Sequence, residues 1–261
     1  MSLLETALEN AMNYLNPLQR VLEHLPIRGK ARIADFLLAR NAAEVKCHPV
    51  PGATVFLRTD QRIERWMWAG TYEPELVSLL RNKLRPGRTF LDLGANIGYF
   101  SAIAAALVGP TGRIHAFEPM PQNFLRLQKN LRPFEWAIPH PWAVGRTTAR
   151  VTMHYSDTEA GWASAYEDDN MPLSTTVDMI TLDGWLAACP IERIDFIKLD
   201  IEGFELEALL GAEVMLRRFR PTIVAETKAD WCRKGVCDFL GAANYECRLF
   251  NNDCVLASPL T

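Results

Sequence analysis

Two groups of side chains in this sequence have the types and spacing to do chemistry. The first is Asp92-Leu93-Gly94-Ala95-Asn96-Ile97-Gly98, in which an acid, a glycine, an asparagine and a glycine recur at every second position. Glycines at such a bend let the backbone turn sharply and pass close to a ligand, and N–H groups at a following helix start favour an electron-rich group. A dinucleotide fingerprint needs G-x-G-x-x-G, whereas here an acid precedes the first glycine. That carboxylate repels a pyrophosphate and suits a ligand carrying an ammonium and a sulfonium. S-adenosylmethionine is such a ligand. The second group is Lys198, Asp200 and Glu202, three charges in an otherwise apolar run. Period two puts them on one side if the strand persists, and charges are expensive in a buried strand unless paired or functional. Asp200 or Glu202 can take or orient a proton, with Lys198 tuning the local charge. Asp200 and Glu226, at the ends of two predicted strands, are alternative ligands for a divalent cation that would acidify a hydroxyl.

These groups need a frame, and the pattern around them supplies one. Residues 88–93 read as a buried parallel strand, and a helix follows from Gly98 with Phe100, Ile103, Ala104, Leu107 and Val108 on one face. Residues 113–117 form the next strand, ending in Glu118-Pro119. An acid there can accept two hydrogen bonds from a ribose diol. A helix over 121–131 leads to a third strand near 137–144, made irregular by Pro139 and Pro141, with Trp142 and Ala143 at its carboxyl end beside the adenine. Tyr72 and Glu73 precede a helix over 74–84; they either cap it or reach the cofactor pocket. Further on, strands are expected at 150–155 and 176–181, with a polar loop over 156–172 covering the active face. A helix over 203–217, a strand over 220–226, a helix over 230–242 and a closing hairpin at 245–257 complete the chain.

The N-terminal part reads differently. Residues 3–25 carry leucines at helical spacing, and the expectation is an amphipathic helix packed on the body; a substrate cover or a homodimer contact is the sharper alternative. A second helix at about 29–42 and a small hairpin within 45–62 follow. The expected division is an N-terminal helical and small β extension over 1–65 and a cofactor-binding domain over 66–261.

Composition narrows the partners. The 261 residues are 49% hydrophobic and 23% charged, with a net charge of −3, so the basic stripe that marks a nucleic-acid partner is not expected. No apolar run reaches the roughly 18 residues of a membrane span. The first residues lack the basic-then-apolar pattern of a secretory leader, so the six cysteines read as reduced thiols in a cytoplasmic protein. Cys232, Cys237, Cys247 and Cys254 are spaced too loosely for a zinc ribbon. The five histidines show no ligand spacing; His140 and His154 are secondary candidates for a base, more simply read as structural.

Three blocks occur together and in order: 90–101, from Phe90 through Asp92 to Tyr99 and Ser101; Ala116-Phe117-Glu118-Pro119; and Ile197-Lys198-Leu199-Asp200-Ile201-Glu202-Gly203-Phe204-Glu205. With Thr181-Leu182-Asp183 and the 221–226 strand, they resemble the FkbM-type S-adenosylmethionine-dependent methyltransferases over about residues 70–257. The resemblance implies an α/β class I methyltransferase fold: a Rossmann-like, doubly wound, mostly parallel seven-stranded sheet with an antiparallel C-terminal hairpin. It implies O-methylation of a hydroxyl or carboxyl on a small molecule, sugar or lipid. Carried over by position, Asp92, Gly94, Asn96 and Gly98 line the methionine end of the cofactor and Glu118 holds the ribose; Ala95, Tyr99, Pro119 and Asp200 are further candidates for cofactor contact. Trp142 and Ala143 border the adenine, and Asp200 with Glu202 stands at the reacting face. Asn96 departs from the glycine of many class I enzymes and agrees with this family. Two competing readings are a nicotinamide-dependent oxidoreductase, which would need the missing glycine fingerprint, and a non-catalytic nucleoside-binding protein, which would be expected to have lost pocket residues that are intact here.

Overall fold

A computed structural model describes residues 29–39, 42–156, 163–164, 172–189 and 191–260. The helix expected over 3–25, and with it the dimer contact, lies outside the described residues, as does most of the 156–172 loop. The chain divides into two compact units, Met1–Lys83 and Leu84–Thr261. The helix that follows Tyr72 and Glu73 therefore goes with the first unit, whereas the sequence division was drawn at residue 65.

The first unit contains α1 (Lys30–Leu38), β1 (Glu44–Cys47), β2 (Val55–Arg58), α2 (Arg62–Trp68) and α3 (Pro74–Lys83). Strands β1 and β2 pair antiparallel, and Val45, Cys47, Val55 and Leu57 turn inward at alternate positions. Asp35 on α1 accepts hydrogen bonds from Arg65 Nε at 2.7 Å and Trp66 Nε1 at 3.3 Å on α2. That charge-assisted contact joins the two helices.

The second unit opens with β3 (Thr89–Leu93), α4 (Tyr99–Val108), β4 (Arg113–Phe117), α5 (Pro121–Leu131), β5 (Ala137–His140), β6 (Ala143–Val144) and β7 (Ala149–Tyr155). It continues with β8 (Ala163–Ser164), β9 (Leu173–Ile180), α6 (Leu182–Ala188), β10 (Phe196–Leu199), α7 (Glu205–Leu210) and α8 (Glu213–Phe219). Last come β11 (Thr222–Glu226), α9 (Asp230–Ala242), β12 (Tyr245–Leu249) and β13 (Cys254–Pro259). Seven of these strands form one sheet in the order β12-β13-β11-β10-β3-β4-β5. Within it, β5, β4, β3, β10 and β11 run parallel, and β13 is reversed against both β11 and β12. This is the doubly wound sheet with a terminal antiparallel hairpin that the resemblance implies. All five residues of β3 are buried, as in a parallel strand covered on both faces. On one face Leu91, Leu93, Ile197 and Leu199 pack with Trp185, Leu209, Met215 and Leu240. Among the described residues no helix is long and apolar enough to cross a membrane.

Three boundaries differ from expectation. The third strand ends at His140, because Pro139 fits an edge strand but Pro141 has no N–H to continue the ladder. Ala143 and Val144 instead join β9 in a separate four-stranded sheet ordered β6-β9-β7-β8. The helix expected over 203–217 is two helices broken at Gly211, where a side chain would lie 2.2 Å from the Gly145 carbonyl oxygen. Asp183 restarts the second of them by accepting from the Val214 and Met215 N–H groups at 2.9 and 2.8 Å. Finally, β10 stops at Leu199. Glu202 and Gly203 then take left-handed conformations, with φ of 53° and 96°. The alternation expected through Glu202 is therefore broken by a turn, and Glu202 is delivered by that turn rather than by the strand.

Candidate active site

Strand β3 brings Asp92 into register with Lys198 of β10, so two charges lie side by side within the sheet. Asp92 is 1% exposed; its Oδ2 accepts from the Ser101 hydroxyl at 2.6 Å, and its buried Oδ1 has no hydrogen-bond partner. Burial raises its pKa, and the neighbouring Lys198 charge works against the rise. The Lys198 ammonium stands 3.7 Å from Asp92 Oδ1, 3.0 Å from Asp200 Oδ2 and 5.3 Å from the centre of the Phe100 ring. It is 3% exposed, so it acts as an internal counter-charge beneath the strand tips rather than as a group at the surface.

The bend after β3 is built mainly for the protein. Gly94, Asn96 and Gly98 are all left-handed, with φ of 77°, 51° and 87°, a conformation glycine adopts freely and asparagine tolerates. A side chain on Gly94 would strike the Asp200 carbonyl oxygen, and one on Gly98 would strike Leu127. The close neighbour that requires a glycine at position 94 is therefore the backbone at the tip of β10. The amides are committed too. Gly94 and Ala95 donate to the Phe117 carbonyl at 3.0 and 2.9 Å, Gly98 donates to the Ala95 carbonyl at 2.8 Å, and Asn96 donates to Glu118 Oε2 at 2.9 Å. Of the N–H groups expected to meet an electron-rich ligand, these four are taken inside the bend. Buried Asn130 fixes the bend from below by donating to the Ile97 carbonyl at 2.8 Å.

Glu118, at the end of β4, is 5% exposed. Its second oxygen accepts from the Met120 N–H at 2.9 Å, so each carboxylate oxygen receives one backbone amide. Burial pushes its pKa up to about 7, opposed by those amides. The Asn123 side chain donates a third hydrogen bond to this carboxylate, which leaves one of its roughly four acceptor positions unused. Beyond it, Phe117, His140 and Trp142 lie in a stack, with ring centres 4.5 and 5.3 Å apart and interplanar angles of 20° and 18°. Trp142 and Pro119 come together on a cavity of about 460 Å³, lined also by Phe124, Gln128 and Val177. Ala143, in β6, is held by pairing with Met179. His140 Nε2 lies 3.1 Å from His115 Nδ1, and burial pushes the two rings down to about 4 and about 3, so His140 is a neutral core residue and not a surface base. Tyr72 and Glu73 belong to the first unit, in the turn ahead of α3, where Glu73 has φ 41° and accepts from the Val77 N–H.

At the tips of β10 and β11, Asp200, Glu202 and Glu226 each present a carboxylate oxygen within 4.8 Å of the others. Two residues that the sequence reading did not assign to the site organise this cluster. Glu205, 1% exposed, accepts from the Ile201 and Gly203 amides at 3.0 and 3.2 Å and from the Cys232 thiol at 3.3 Å, which folds the turn that aims Glu202. Lys228 places its ammonium 2.9 Å from Glu226 Oε2 and 3.2 Å from Glu202 Oε2. A lysine two residues past an acidic strand end was the available signal for Lys228, and an acid in the first turn after Gly203 was that for Glu205. Burial favours a neutral Asp200, but the Lys198 charge and hydrogen bonds from Glu226 and Lys198 outweigh it and hold the carboxyl low. Glu226 is pushed up, by burial first and the Asp200 charge second, so the pair shares a proton that resides on Glu226. Glu202 is raised by burial and by the Asp200 charge.

The arrangement thus joins an acidic glycine bend, a buried acid at the end of β4, an aromatic-walled cavity and a carboxylate cluster along the carboxyl ends of adjacent parallel strands, where ligands of open α/β sheets bind. Residues 92–247 match the family model described as the methyltransferase FkbM domain. Relatives include the 2-O-methyltransferase NoeI of Sinorhizobium fredii, 25% identical over 161 residues that cover 56% of this chain and 65% of the relative. The hexuronic acid methyltransferase AglP of Haloferax volcanii is 26% identical over 153 residues, 58% of this chain and 61% of the relative. The 31-O-demethyl-FK506 methyltransferase FkbM of Streptomyces tacrolimicus is 30% identical over 161 residues, 50% of this chain and 62% of the relative. The chain therefore spans a little over three fifths of the length of each of these three.

Proposed function

This chain belongs to the FkbM methyltransferase family, and on that premise we propose that it transfers the methyl group of S-adenosylmethionine to a hydroxyl oxygen of a small molecule. The residues present fit that cofactor. The orphaned Oδ1 of Asp92 is a buried acceptor suited to an ammonium, and the one acceptor position left on Glu118 suits a ribose hydroxyl. Trp142 and Pro119 wall a cavity in which a flat ring can stack. When bound, the sulfonium supplies an activated methyl group.

The observation that carries the hydroxyl reading is the cluster of Asp200, Glu202 and Glu226 with oxygens within 4.8 Å. A carboxylate acceptor needs no base, whereas a hydroxyl must give up its proton, and this cluster is built to receive one. Glu202 is the better acceptor: its pKa is raised, so it holds a proton more firmly than Asp200, which Lys198 keeps low. Asp200, held between Lys198 and Glu226, orients the hydroxyl. Two reactants held in alignment supply roughly 7–11 kcal/mol of the barrier, so positioning carries most of the rate. The printed names of NoeI and of the Streptomyces relative, both acting at a numbered oxygen, favour the same reaction class.

Calorimetry with S-adenosylmethionine, S-adenosylhomocysteine and NAD separates this reading from a nicotinamide enzyme. Binding of the first two and not of NAD is expected, and tight NAD binding alone would overturn it. With an acceptor in hand, Glu202→Gln and Asp200→Asn test the base. Rates near the parent's in both variants would remove the proton-accepting role.

A further inference from the structure

The carboxylate cluster has the composition of a divalent-cation site, yet a side chain of the same segment already sits on it. Asp200, Glu202 and Glu226 bring their oxygens within 4.8 Å of one another, close enough that ionised forms repel strongly without a cation among them. Lys198 serves Asp200 from inside the sheet at 3.0 Å. Lys228 serves the other two, with its ammonium 2.9 Å from Glu226 and 3.2 Å from Glu202. Its backbone is held in place: the Thr227 N–H and hydroxyl both donate to the Asp253 carbonyl, and Arg233 Nη2 donates to the Thr227 carbonyl at 3.0 Å. Thr227 is fully buried, so the lysine is carried on a fixed stem.

We infer that Lys228 is the resident cation of this cluster, occupying the place a divalent ion would take, and that it positions Glu202 and Glu226 so that transfer proceeds without added metal. A divalent ion needs carboxylate oxygens at roughly 2.0–2.6 Å and must displace an ammonium that already bonds two of the three acids. The lysine thereby supplies the charge that keeps Glu202 and Glu226 together at the reacting face, while leaving a carboxylate able to take a proton.

The test is a Mn²⁺ titration, followed by electron paramagnetic resonance, of the full chain and of Lys228→Met and Lys228→Arg. The parent and Lys228→Arg are expected to leave Mn²⁺ free, while Lys228→Met binds it about tenfold or more tightly than the parent. Adding Glu226→Gln to Lys228→Met is expected to abolish that binding and so locates the ion. If Lys228→Met does not melt cooperatively, Lys228→Gln takes its place. Parent binding as tight as the variant's, or no gain on removing the ammonium, would overturn the inference. So would parent turnover lost to a chelator and restored by Mg²⁺. The consequence for turnover rests on the hydroxyl-transfer reading, but the Mn²⁺ titration reads the cluster alone, so the two fail separately.

Discussion

Gly94 and Asp200 meet backbone to backbone: a methyl group on Gly94 would lie 1.8 Å from the Asp200 carbonyl oxygen. The Asp200 N–H donates to the Leu93 carbonyl at 3.0 Å, so the bend after β3 and the tip of β10 are clamped to each other. The bend after β3 and the backbone of Asp200 are thus one rigid piece. Gly94→Ala should force the tips apart and demand a left-handed alanine, destabilising the chain by about 2–4 kcal/mol and abolishing S-adenosylhomocysteine binding. Gly241→Ala is the contrast. That glycine is exposed near the end of α9 with open space around it, and the substitution should stabilise by roughly 0.5–1 kcal/mol. Urea melts of both variants check the pair; equal effects would mean that the contact does not govern the site.

Lys198 is the second prediction. Its removal leaves buried Asp92 and half-buried Asp200 beside each other without the ammonium that stands between them. Lys198→Met, close in shape but neutral, should destabilise by about 3–5 kcal/mol. Adding Asp92→Asn should restore part of that loss, because one of the uncompensated charges goes with it. Additive losses in the double variant, measured in denaturant, would show that the ammonium does not act on Asp92.

What could be read in advance followed how local the physics was. The bend from Asp92 to Gly98 and the strands on either side were legible because spacing and burial are encoded within a few residues. Glu118 and Glu226 were legible for the same reason, as acids at strand ends. The nearness of Glu202 to Asp200 does not come from the period-two strand that its spacing predicts, because Glu205 interrupts that strand by capturing the Ile201 and Gly203 amides. The reason for Gly94 lay in Asp200, more than a hundred residues away, which no local pattern reveals. Lys228 was missed because its position depends on a turn pinned to Asp253 in the closing hairpin. Long-range backbone contacts, rather than residue types, decided each of these.

The buried histidine pair gives a stability prediction. His115 and His140 are held neutral, at about 3 and about 4, whereas in the unfolded chain each takes a proton near 6.5. A depressed histidine favours the fold above 6.5, and the advantage is lost as pH falls toward the folded values. Each ring should steepen acid destabilisation by about 1.4 kcal/mol per pH unit between those limits. The double variant His115→Phe, His140→Phe keeps the aromatic packing and should lose most of that slope. Melts between pH 7 and 4.5 measure it, and the difference from the parent isolates the rings from acids that titrate in the same range. Parallel stability curves would show that the rings are protonated in the fold.

Glu118 makes cofactor binding itself sensitive to pH. Its carboxyl is pushed up to about 7 by burial, so a good part of the free chain carries it protonated at neutral pH. A protonated carboxyl has one fewer acceptor position to offer, and the two backbone amides and the Asn123 side chain already occupy three. Binding that needs the ionised form should therefore weaken below pH 7, by up to about tenfold per pH unit, and level off above it. S-adenosylhomocysteine titrated by calorimetry from pH 6 to 8.5 reads this without turnover. His115 and His140 do not interfere, because both stay neutral across that window. Glu118→Gln should bind more weakly at pH 8 yet show a nearly flat profile, which separates Glu118 from the other acids that burial raises, Asp92, Glu202 and Glu226 among them. A parent affinity that does not change between pH 6 and 8.5 would mean that the Glu118 carboxylate is not what the ribose meets.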